Sequence, residues 1–108
     1  MELKDRFLKY VSYDTQSSEQ SRTFPSTDKQ LVLLRELADE MKALGMTDVT
    51  MDAHGYVMGT VPATPGCESA PVVGFIAHVD TSPDMSGKDV RPRTIEEYDG
   101  GDIVLNGQ

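Results

Sequence analysis

The stretch Val72-Val73-Gly74-Phe75-Ile76-Ala77 is apolar throughout, and the chain turns polar at once afterwards, at His78, Asp80, Thr81, Ser82 and Asp84. The run has strand length but lacks the apolar–polar alternation of a strand with one wet face. Such a segment suits a sheet covered on both sides, as in proteins that pack helices against their strands. The preceding sequence supplies helices. From Glu2 to about Ser12 the residues Leu3, Phe7, Leu8 and Val11 recur at helical spacing, leaving Lys4, Asp5, Arg6 and Lys9 on a face expected to be solvated. Asp14 to Ser26 is rich in Ser, Thr and Gln, contains Pro25, and predicts a loop.

A second, longer helix follows. Ser26 or Thr27 is a suitable N-cap, Asp28 is favourably placed in the first turn, and Thr27 with Gln30 fits a capping box. Leu31, Leu34, Ala38, Met41 and Leu44, widened by Leu37, form the stripe that must be buried, with Arg35, Glu36, Asp39, Glu40 and Lys42 largely opposite. Gly45 is the residue best suited to the left-handed turn that ends a helix. Asp48–Asp52 and Tyr56–Val61 then flank the turn-rich Ala53-His54-Gly55, which predicts a hairpin. Pro62–Pro71 is a polar connection, Val90–Ile95 is expected to be extended, Asp99-Gly100-Gly101 to turn, and Asp102–Leu105 to begin another strand before the chain stops at Asn106-Gly107-Gln108. Helix, longer helix, hairpin and buried strand read as the opening half of an α/β domain.

Charge and cysteine content restrict what such a domain meets. A net charge of -8 disfavours nucleic acid and anionic membranes as partners and is compatible with cations. The single cysteine, Cys67, excludes a disulfide within the chain, and no apolar stretch reaches transmembrane length. A reduced, cytoplasmic setting is the expectation.

The chemistry concentrates where the apolar run ends. In open α/β sheets, ligands bind beyond the carboxyl ends of the strands, and His78 and Asp80 fall at that edge. Separated by one residue, they point to the same side of an extended backbone. A neutral imidazole is a good zinc ligand, and a carboxylate commonly orients its other nitrogen. The spacing alone leaves open a histidine that is only hydrogen-bonded to its loop. Asp84 and Asp89 could reach a metal from that loop or remain solvated, and His54 reads as a polar turn residue. Ser82 has neither a neighbouring base nor a nucleophile elbow. Met41, Met46, Met51 and Met58 read as core filler.

Longer strings carry a resemblance. GFIAHVDTSPDMSGKDVRP at 74–92, RFLKYVSYDTQS at 6–17, PST at 25–27 and EEYDGGDIVL at 96–105 together resemble the first metal-ligand segment of the M20 group of zinc peptidases. HVDTSPD and YDGGDI resemble its tripeptidase branch in particular. The resemblance implies that residues 1–108 are the N-terminal segment of a zinc-peptidase catalytic domain, a mixed sheet with packed helices. The remainder of that domain and a smaller lid and dimerisation domain would lie outside the chain. It further implies that His78 ligates one of two zinc ions and that Asp80, counted with the catalytic residues, orients its imidazole. The implied reaction is removal of the N-terminal residue from a tripeptide by a metal-bridged water, and the implied assembly leaves a homodimer open. The remaining ligands and the general base would come from later sequence, so this segment alone, with at most a partial zinc site, is expected to be inactive. The alternatives are another M20-type dipeptidase or amide hydrolase, and a non-catalytic small binding module.

Overall fold

A computed structural model describes residues 1–105; the chain end at Asn106-Gly107-Gln108 lies outside the described residues. The elements are helix α1 (Leu3–Tyr10), helix α2 (Gln30–Ala43) and strands β1 (Thr47–Met51) and β2 (Val57–Thr60). The two strands pair antiparallel as a two-stranded sheet. No helix of the described residues is long and apolar enough to cross a membrane.

Helix α2 organises the packing. Leu33, Leu34 and Ala38 form the buried apolar core, with Gln30 buried at the helix start. Its C-terminus is the expected one: Gly45 adopts φ +83°, its N–H donates to the Lys42 carbonyl, and the Met46 N–H reaches back to Met41. That bonding pattern satisfies the orphan carbonyls of the last turn as a Schellman motif. The N-terminus differs from expectation. Lys29 occupies the cap position without a side-chain cap, and the helix is entered through i to i−3 bonds from Gln30, Leu31 and Val32. The capping box does not form, because the Thr27 hydroxyl donates to the Gln16 carbonyl instead and the Gln30 amide binds Ser26 and Thr27 hydroxyls rather than a backbone N–H.

The hairpin packs on α2 through small residues. At Gly55 (φ +84°) a methyl group would stand 2.9 Å from Leu34 Cδ1, and at Gly59 one would stand 3.3 to 3.4 Å from Val49, Met41 and Met46. Met41 and Met46 therefore do line the interior, whereas Met58 is exposed. Asp52 closes the turn: its carboxylate accepts the backbone N–H groups of His54 and Tyr56. Asp48, at φ 52°, marks a bulge between Thr47 and Thr50, which increases the local twist.

Helix α1 is tied to α2 by polar side chains. Arg6 pairs with Glu40, Lys9 Nζ lies 2.7 Å from Glu36, and the Tyr10 hydroxyl donates to Glu40. Leu3 and Phe7 are exposed. The expected solvated face thus contacts its neighbour, because Glu36 and Glu40 lie one turn apart on α2 and offer a matching pair of charges.

The largest departure is the apolar run. Val72–Ala77 forms no strand and pairs with nothing among the described residues; Phe75 and Ile76 are 95% and 101% exposed. A doubly covered strand requires neighbours at both edges and layers on both faces, and the only sheet among the described residues is the two-stranded hairpin. The mixed sheet expected from sequence is therefore not present among them, nor are strands at Val90–Ile95 or Asp102–Leu105. The accessible surface is 9170 Å², against about 6,000 Å² for a compact monomer of this mass. The radius of gyration is 17.6 Å, against about 13 Å for a compact domain of this length. Helices and hairpin make a small packed unit; most of residues 62–105 runs outside it.

Candidate metal centre

His78 and Asp80 meet as the alternating geometry of an extended backbone requires. His78 Nδ1 lies 3.0 Å from Asp80 Oδ1. An ionised carboxylate only accepts, so this contact selects the tautomer with the proton on Nδ1 and leaves the Nε2 lone pair free. No protein hydrogen bond to Nε2 is present among the described residues, and the imidazole is 85% exposed. A ring oriented by a carboxylate at one nitrogen, with the other open, has the donor chemistry of a zinc ligand. The pair thus fits one protein ligand of a zinc ion and the residue that orients it.

The other candidates stay apart from this pair. Asp84 accepts the Ser82 hydroxyl at 2.9 Å in a local turn. Asp89 occupies a left-handed turn position at φ 53°. His54 sits in the hairpin turn with its ring 4.0 Å from the Asp52 carboxylate, the polar turn role its sequence context suggests. Cys67 is free and exposed. Among the described residues, no three His, Cys, Asp or Glu side chains converge as a metal cage.

Residues 81–87, directly after the pair, are attached to the loop between α1 and α2. The Thr81 N–H donates to the Thr15 carbonyl and the Ser17 N–H donates to the Thr81 carbonyl, at 3.1 and 2.9 Å. Gln16 and Thr81 thereby form an isolated parallel bridge. The Gln16 side-chain amide donates to the Pro83 carbonyl at 2.8 Å, and Ser17 Oγ donates to the Thr81 carbonyl. Asp14 is held by Lys29 at 2.9 Å; that contact and the Gln16 N–H keep its carboxyl below the usual range. No periodicity announces that these two stretches meet, since the partners lie 64 and 67 positions apart in sequence.

No family model matches the chain. A peptidase T from Clostridium novyi is 56% identical over 102 residues, which is 94% of this chain and 25% of the relative. Peptidase T from Caldanaerobacter subterraneus is 58% identical over the same share of each chain. That from Geobacillus thermodenitrificans is 53% identical over 107 residues, or 99% of this chain and 26% of the relative. The chain is similar to peptidase T over nearly its whole length. It spans about a quarter of the length of the peptidase T relatives it matches. The His78–Asp80 pair and the Asp14–Ser17 attachment both lie within the stretch that corresponds to peptidase T.

Proposed function

We propose that this chain is the N-terminal, first metal-ligand segment of a zinc-dependent aminopeptidase that removes the N-terminal residue from tripeptides in the cytoplasm. The observation that carries the reading is the His78 Nδ1 to Asp80 Oδ1 contact, in a chain whose relatives are named peptidase T. His78 would bind zinc through Nε2, and Asp80 would hold the ring in the tautomer that keeps Nε2 unprotonated. Bound zinc would supply Lewis acidity toward the scissile carbonyl and lower the pKa of water. Asp80 would also restrict rotation of the ring. Zinc normally takes four ligands, and one imidazole is far short of that. The remaining donors and the general base are assigned to sequence beyond this segment, and the segment alone is inactive.

The direct experiment is to read the coding frame past Gln108, express the longer protein, and assay di-, tri- and tetrapeptides with and without a chelator. Zinc-dependent release of the N-terminal residue, confined to tripeptides, is the expected result. Cleavage of dipeptides or acylated amino acids instead moves the assignment to another M20-type activity. A stop codon directly after Gln108, with cooperative unfolding of the chain that zinc does not affect, supports a small binding module instead.

A further inference from the structure

We propose that the Asp14–Ser17 loop is a positioning clamp for the His78–Asp80 pair, with Gln16 and Thr27 as its decisive side chains; this rests on the metal-site reading above. A carboxylate contributes to an imidazole ligand only when it is held in place, because ligand basicity and tautomer depend on that hydrogen bond.

The downstream side supplies the hold. The two bonds between Thr81 and the Thr15–Ser17 backbone are the only backbone hydrogen bonds that tie residues 62–105 to the helical and hairpin unit among the described residues. They act at the residue next to Asp80. Gln16 adds a second anchor at the Pro83 carbonyl. Thr15, in the middle of the clamp, is only 3% exposed. Gly87 brings the returning loop against the same place: a methyl group there would stand 3.0 Å from Asp14 Oδ1 and 3.4 Å from Thr81 Oγ1.

The clamp is itself fastened to α2. Lys29 holds Asp14, Asp14 Oδ1 accepts the Gln16 N–H, and the Thr27 hydroxyl donates to the Gln16 carbonyl at 2.8 Å. Gln30, buried at the helix start, donates in turn to Thr27 Oγ1. A chain of hydrogen bonds thus runs from the first turn of α2 through the loop to the backbone beside Asp80. Thr27 is unavailable to cap the helix because it serves this path.

The test uses the longer protein, with zinc affinity measured by competition against a chelator. Thr27→Val removes the hydroxyl at nearly constant shape, and Gln16→Leu removes the donor to Pro83. Each is expected to weaken zinc binding about tenfold, the lower end for loss of an outer supporting contact. Tripeptide KM and the thermal midpoint should change little, and Thr27→Ser should restore the affinity. Lys4→Ala, which removes the exposed Lys4–Glu96 pair, should leave affinity at the parent value. Parent-like zinc affinity in both Thr27→Val and Gln16→Leu overturns the clamp, as does a loss that Thr27→Ser fails to recover. His78→Ala separates the two readings: if it leaves zinc affinity unchanged, the metal-site assignment fails and the clamp with it. If it abolishes binding while neither Thr27→Val nor Gln16→Leu weakens it, only the clamp fails.

Discussion

Replacing Gly55 by alanine tests whether the hairpin is seated on α2. Gly55 has φ +84° and would bring a methyl group to 2.9 Å from Leu34 Cδ1 and 3.4 Å from Leu31 Cδ2. Gly45 has nearly the same backbone, φ +83°, with nothing within 4 Å, and so serves as the matched control. Both substitutions place alanine in the left-handed region at about 1–2 kcal/mol, offset by about 0.4–1 kcal/mol from a stiffer unfolded chain. Only Gly55→Ala adds an overlap. Overpacking costs about 1–3 kcal/mol, and the low end applies because the obstructing atom is the tip of a side chain, although Leu34 is just 8% exposed. The excess is therefore about 1 kcal/mol, or about fivefold in an opening equilibrium. Amide hydrogen exchange at Asp52 and Tyr56, whose N–H groups are bonded within the turn, reads that opening locally. Exchange there should be about fivefold faster in Gly55→Ala than in Gly45→Ala, and Leu34→Val should remove most of the excess. Equal exchange in the two glycine variants, or an excess untouched by Leu34→Val, would refute the packing argument.

Other predictions follow from the polar contacts. Burial and, next, the hydrogen bond to Glu40 push the Tyr10 phenol up to about 12. Its contribution to holding α1 is thus present below about pH 10 and is lost as pH rises toward 12; ultraviolet titration should show one late phenol, which moves part of the way back in Glu40→Gln and disappears in Tyr10→Phe. The Asp14 carboxyl is held below its ordinary value of 3.8, first by Lys29 and then by the Gln16 N–H. Its contribution is present above that value and lost as pH falls through the lowered one, so Lys29→Met should speed Thr81 amide opening at pH 6, and the difference should shrink as the medium is made progressively more acidic. Asp80→Asn in the longer protein should lower zinc affinity or activity about 10–100-fold, read by chelator competition. Purified 108-residue chain should show no tripeptide hydrolysis above buffer; activity that follows the protein peak would contradict the assignment of missing ligands to later sequence.

Local chemistry made several elements legible from the residues alone. The Leu34–Ala38–Met41 stripe, the left-handed Gly45, the turn around Gly55 and the same-side placement of His78 and Asp80 each depend on neighbours within a few positions. What was not legible depends on distant partners. Leu33 is buried although it lies off the expected stripe, on the same side of α2 as Glu36 and Glu40, which receive α1. Leu44, on the stripe, is 61% exposed because the helix has already ended at Ala43. Thr27 matches a capping box by spacing, yet the Gln16 carbonyl recruits its hydroxyl. Val72–Ala77 has the composition of a buried strand, but burial is supplied by other strands and layers, which these residues do not meet among those described.

The most direct test of the central claim is the zinc content of the longer protein, measured by metal analysis for the parent and for His78→Ala. The account predicts two zinc ions per chain in the parent and a loss of zinc in the variant, with tripeptide hydrolysis falling alongside it. Unchanged zinc in His78→Ala, or a parent that hydrolyses tripeptides without bound metal, would contradict it.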